Sequence, residues 1–272
     1  MNRFLYDIFR ALQNRGVLLM MCLTSLLCLA LLLIGLPHLM ANGDSSDVVN
    51  GFAVNGIGIV YGFFVPLTGI VAAYETYAKD RATGVLDAVL CRPVTRGDLV
   101  VGRFLAVVIA SAVSIAAALG LMDAVVNIET SFFINPIDIA ALYVGLLVEA
   151  AAFGGLVFLL AHVFRSAGTV QGTSTVVFVL FSIIWYVIIA VIILYTGLTG
   201  PDAVHTLVIA DYFNPAQFTT IVLTFTEHSF FFVLPINSFS AVGLSVGGLA
   251  ASGLGWSLGP FLITYYLARK RD

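Results

Sequence analysis

Two carboxylates sit inside apolar runs, and these are the first candidates for chemistry. Glu149 lies near the middle of one run, within Leu147-Val148-Glu149-Ala150-Ala151-Ala152, and Asp123 lies near the end of another. A charge at the centre of a bilayer costs at least about 2.5–3.5 kcal/mol, so such a group faces a cavity or the protein interior. Glu149 therefore reads in two ways: a polar point in a substrate path or protonatable gate, or a carboxyl group bonded to a neighbouring helix for packing. Asp123 is the second candidate for a substrate path, but it is closer to the interface and favours the packing role.

Other chemistries lack their residues. Soft metal ligands gather in the first apolar run as Met20, Met21, Cys22 and Cys28, with His38 and Met40 near its end. Cys22 and Cys28 stand about 240° apart around a helix and do not share a face, so no metal site is expected. No H-E-x-x-H or G-x-S-x-G pattern occurs, and His162, His205 and His228 have no spaced partner. A nucleotide-binding phosphate loop needs a Gly-Lys pair. The two lysines, Lys79 and Lys270, follow no glycine. The chain carries no cofactor by this reading, and any nucleotide energy comes from another polypeptide. No nucleic-acid partner is expected.

The elements that position these residues follow from composition. The chain has 272 residues, 60% hydrophobic and 10% charged, with mean hydropathy +1.06, whereas soluble domains carry about 25% charge. A spanning helix needs about 20 mostly apolar residues. Six segments qualify: roughly Val17–Met40, Phe52–Tyr74, Leu99–Val126, Ile137–Phe164, Thr173–Tyr195 and Ala241–Ala268. The first is too long for the 7–15-residue apolar core, roughly, of a signal peptide. The expected fold is an all-α membrane protein of one domain, residues 1–272.

All 12 basic residues fall on one side of this topology. They are Arg3, Arg10, Arg15, Lys79, Arg81, Arg92, Arg96, Arg103, Arg165, Arg269, Lys270 and Arg271. The opposite loops carry only Asp44, Asp47, Glu129, Asp202, Asp211 and Glu227. Lys and Arg are enriched in cytoplasmic loops, so both termini are expected in the cytoplasm of a cell (inner or plasma) membrane. Cys22 and Cys28 lie in an apolar run and Cys91 in a cytoplasmic loop, so no external disulfide is expected.

Three other segments are patterned. Residues 1–15 read as an amphipathic interfacial helix, with Phe4, Leu5, Ile8, Phe9 and Leu12 on one face and Arg3, Asp7, Arg10 and Gln13 on the other. The cytoplasmic loop 75–98 holds Glu75 and Lys79 in the favourable order for a helical ion pair. Val85, Leu86, Val89 and Leu90 then form an apolar stripe on a short helix, which Arg92-Pro93 ends. Thr95 and Asp98 approximate a capping box for the next span. The outer segment 196–240 is apolar but broken by Asp211, Asn214 and Pro215. It is expected to hold two short re-entrant or interfacial helices forming an outer lid, because such backbone at membrane depth must be buried in protein or line a cavity. Pairs such as Gly58/Gly62, Gly243/Gly247 and Gly255/Gly259 mark close-packing faces.

The run Tyr74-Glu75 through Thr83-Gly84-Val85-Leu86-Asp87-Ala88-Val89-Leu90, then Arg92-Pro93-Val94-Thr95-Arg96 and Gly102-Arg103, resembles the type-2 ABC transporter permeases. In that family a Glu ends the second span, followed by G-x-L-x-x-L-L, P-[VI]-[ST]-R and G-K. Here Arg103 stands for the usual Lys, and Lys79-Asp80-Arg81 for a more acidic run. The general pattern is similar to the permeases that serve nitrous oxide reductase maturation. The resemblance implies the membrane subunit of an ATP-driven exporter. Its partners would be two copies of a cytoplasmic ATPase that binds ATP and Mg, a second permease copy (most simply a homodimer), membrane lipid and an outer accessory protein. Residues 85–90 would be the coupling helix, with Glu75, Val85, Leu86, Val89, Leu90, Arg92, Pro93 and Arg96 as ATPase-coupling residues. The alternative is an ion-coupled transporter or channel using Glu149; an intramembrane enzyme has no catalytic constellation to support it.

Overall fold

Backbone polar groups have no water to bond in hydrocarbon, so apolar runs that cross it fold as helices. A computed structural model describes residues 3–41, 45–86, 95–224 and 245–270, and among these the chain is helical with no strand. A short helix α1 (Arg3–Leu12) precedes α2 (Arg15–Ala41), α3 (Ser46–Ala82), α4 (Arg96–Thr130), α5 (Pro136–Val163) and α6 (Ala167–Thr196). Then come α7 (Pro201–Asp211), a 3₁₀ turn (Pro215–Gln217) with α8 (Phe218–Thr224), and α9 (Val246–Arg269). Helices α2 to α6 and α9 are the six long and apolar enough to cross a membrane. Two contain a single π turn, Tyr74–Ala78 in α3 and Leu180–Ile184 in α6.

Local chemistry sets the helix starts. Asn14 Oδ1 accepts the Gly16 N–H at 2.8 Å ahead of α2. Thr95 Oγ1 accepts the Asp98 N–H at 3.1 Å, the N-terminal half of the expected capping box. Asn135 accepts the Ile137 N–H at 3.0 Å with Pro136 at the first helical position. Ser245 accepts the Gly248 N–H at 3.0 Å.

Helix α5 is the hub, packing on α3, α4, α8 and α9. A glycine sits at its contacts with α3 and with α8, Gly69 on α3 and Gly145 on α5. A Cβ on Gly69 would stand 2.6 Å from the Ala150 carbonyl oxygen, and one on Gly145 would stand 2.7 Å from Thr219 Cα. Gly58 is used in the same way against Leu223, whereas Gly255 and Gly259 face open space. Of the small-residue pairs read from sequence, one is therefore internal, and the Gly255/Gly259 pair has no partner within the described chain.

Two details sharpen the expected fold. The spans are longer than the hydrophobic runs suggest: α3 and α4 extend to 37 and 35 residues, because polar turns continue the helices beyond the apolar windows. Helix α1 is amphipathic, with its apolar face left open and its polar face turned to the protein. Asp7 and Ala11 are buried against the protein, while Leu5, Tyr6 and Phe9 are exposed. Its polar side finds charged partners inside the fold, as described next. In the outer segment, α7 and α8 occupy the described part, separated at Tyr212–Asn214; residues 225–240 lie outside the described residues.

Candidate functional site at the basic end of the bundle

At the basic end of α3 the π turn Tyr74–Ala78 is followed by one last α turn. Such single π turns often mark functional positions. Asp80 sits in that last turn, 6% exposed, and is the charge around which three elements meet. Arg10 of α1 grips it with both guanidinium nitrogens, Nη1 to Oδ2 at 2.7 Å and Nη2 to Oδ1 at 2.9 Å. Arg103 of α4, 4% exposed, donates to Oδ2 at 2.7 Å and also to the Thr76 carbonyl. Arg10 Nη2 further reaches the Glu75 carbonyl at 3.3 Å. A planar guanidinium matched to a carboxylate in this two-pronged way gives geometric specificity as well as energy. The clasp fixes α1, the end of α3 and the start of α4 to one another.

Glu75 forms the expected helical ion pair with Lys79 at 2.9 Å, both partly or well exposed. It is a surface pair, worth little by itself. The rest of the predicted coupling loop divides. Residues 85 and 86 are helical; Val85 is exposed, while Leu86 is 7% exposed and packs in the core with Tyr77, Leu99 and Ala268 among others. Val89, Leu90, Arg92 and Pro93 lie outside the described residues. Arg96 opens α4 just after the Thr95 cap.

Behind the clasp, an aromatic chain crosses the bundle. Tyr77 stacks on Phe158 with ring centroids 4.3 Å apart. Phe158 meets Phe104 edge-on at 5.7 Å, and Phe104 stacks on Phe261 at 4.3 Å. This links α3, α5, α4 and α9. His162 completes it: the Phe158 carbonyl can only accept, so Nδ1 carries the proton at 3.0 Å, and Nε2 shares a hydrogen bond with the Tyr77 hydroxyl at 3.2 Å.

The two intramembrane carboxylates are not brought together. Asp123 accepts the Ile134 N–H at 2.8 Å and secures the connection between α4 and α5. Glu149 is fully buried, and its Oε1 accepts the Thr219 N–H at 2.8 Å in the first turn of α8. Gly145, one turn away on α5, provides the clearance for that approach. Glu149 Oε2 has no hydrogen-bond partner among the described residues.

Sequence reading missed Asp80 and Arg10 as partners. The available signal was one acid between Lys79 and Arg81, at a place where the resemblance already departed from its pattern. Nothing local pairs it with a residue 70 positions away.

Residues 12–272, nearly the whole chain, match the model of a family described as ABC-2 family transporter protein. No curated protein matches the chain.

Proposed function

The chain belongs to the ABC-2 transporter family, and from that premise we propose that it is the permease subunit of an ATP-driven exporter, moved by a separate cytoplasmic ATPase. ABC-2 permeases generally work with such a subunit. The observation that carries the reading is the Arg10–Asp80–Arg103 clasp. The clasp joins the end of α3 to α4, the two helices that precede and follow residues 87–94 in the chain. A push on the loop is then shared by α1, α3 and α4 instead of bending one helix. The aromatic chain from Tyr77 to Phe261 extends the same load to α5 and α9.

In this reading the basic end is cytoplasmic, two ATPase copies bind ATP and Mg, and a second permease copy completes the path. Val85, exposed beside the loop, contacts the ATPase together with Val89, Leu90, Arg92, Pro93 and Arg96; Glu75 trims the charge of the surface around them. Leu86 supports this surface from within. An ion-coupled mechanism through Glu149 has less behind it, because one carboxylate oxygen is already committed to the Thr219 N–H.

The test is co-expression with the ATPase subunit of the same transporter. The ATPase should co-purify with the parent chain, and Val85→Asp should weaken that association while leaving the melting temperature of the permease unchanged. If the pair never co-purifies, or Val85→Asp has no effect on it, the reading fails.

A further inference from the structure

A cavity of about 370 Å³ opens between the end of α3, the end of α5 and the start of α6. It is separate from the clasp, and the proposed coupling does not use it. Its walls include Arg81 of α3, Arg165 of the α5–α6 connection, His162, Val163, Phe164 and Val170. The two arginines give it a charge of +2, and neither has a carboxylate partner among the described residues. His162 is committed to Tyr77 and Phe158 and so serves as a wall. Arg165 directly precedes the start of α6, where Ser166 makes no side-chain capping bond.

The occupant has to suit two surroundings at once. The arginine pair asks for an oxyanion, and guanidinium groups match phosphate well. Val163, which lines the same cavity, is 62% exposed at the end of a spanning helix, and Val176 farther along α6 is 66% exposed. Exposed apolar side chains on spanning helices suit acyl chains. An acidic protein side chain satisfies the first condition and not the second. Basic pockets between spanning helices on the cytoplasmic side suit anionic lipid headgroups. We propose that this cavity binds the phosphate of an anionic phospholipid, with Arg81 and Arg165 as its ligands and the Val163 flank against its acyl chain.

The experiment uses the full chain purified with its ATPase subunit and reconstituted with phosphatidylglycerol as about one lipid in five, the rest phosphatidylcholine, a surface charge typical of a cytoplasmic leaflet. Native mass spectrometry reads the phosphatidylglycerol retained after detergent extraction. Arg81→Gln combined with Arg165→Gln should weaken retention roughly thirtyfold, from about 1 kcal/mol for each arginine. Arg165→Gln alone, at an exposed loop position, should give an intermediate loss, which keeps the test valid if the double variant folds poorly. Equal retention by parent and variants overturns the proposal. So does stabilisation by inorganic phosphate that matches the lipid, since the ligand would then be a free ion. A third overturning result is loss of the ATPase from the variants in lipid-free detergent, which would make the pair a protein-docking surface.

Discussion

At the residue scale, Asp80 holds two arginines, one of them fully enclosed. A buried pair is weak support for stability as such, because desolvation offsets the attraction, but removing one partner leaves an uncompensated charge. Asp80→Ala should therefore cost about 3–5 kcal/mol, read by thermal unfolding in detergent. Adding Arg103→Met should recover part of that loss, because the stranded charge goes with it. Glu149 separates two roles by substitution. Glutamine keeps an oxygen for the Thr219 N–H, and leucine does not. Glu149→Leu should lose about 1–3 kcal/mol, the cost of an unsatisfied buried donor, whereas Glu149→Gln should stay close to the parent in stability and transport. Loss of transport in Glu149→Gln with unchanged stability would restore an ionisation role.

At the element scale, contact between α3 and α5 depends on a missing side chain. Gly69→Ala places a Cβ against the Ala150 carbonyl, where backbone has to shift, and should destabilise by about 1–3 kcal/mol. Gly255→Ala, on a face with nothing within 4 Å, should be neutral or slightly stabilising, since alanine is the better helix former. The two melting curves measured side by side test the packing directly. Helices α7 and α8 carry a pH dependence. Asp211 ends α7, is 2% exposed, and burial pushes its carboxyl up from 3.8 to about 7. The folded state then holds a proton that the unfolded chain releases, so this group's contribution is fullest below about pH 4 and fades as pH rises through 7. Nearby, Tyr186 donates to Gln217, Asn214 bonds the Phe181 carbonyl and Ser252 the Tyr212 carbonyl, so α7 and the turn after it are tied to α6 and α9. Amide protection in α7 and α8, corrected for the intrinsic pH dependence of exchange, should fall between about pH 4 and 7, and Asp211→Asn should flatten that dependence.

At the scale of the whole molecule, the proposal is mechanical: one clasp and one aromatic chain make the basic end move as a unit. Arg10→Gln removes the charge that ties α1 to Asp80 while leaving Arg103 in place. The complex with the ATPase should still assemble. Under ATP with vanadate, the parent should show altered amide exchange in α3, α4 and α5, and in Arg10→Gln that change should shrink toward the loop. An undiminished change across the bundle would mean that the force travels by another route.

Six spans, the polarity of the ends, the Glu75–Lys79 pair and the Thr95 cap were all legible in the chain, because each depends on hydropathy or on residues three or four apart. The departure of Lys79-Asp80-Arg81 and of Arg103 from the family pattern was also visible, but its meaning was not. Asp80 meets Arg10 across 70 positions and Arg103 across 23, and only the packing of α1 and α4 on α3 decides those partnerships. The same holds for Leu86, which shares an apolar stripe with Val85 by periodicity yet is buried while its neighbour is exposed. It holds too for Glu149, where burial and a bonded oxygen depend on how closely Gly145 lets α8 approach. Local patterns set which segments become helices and which end is basic; which charges meet, and which apolar face remains open, depends on contacts that form only when the helices pack.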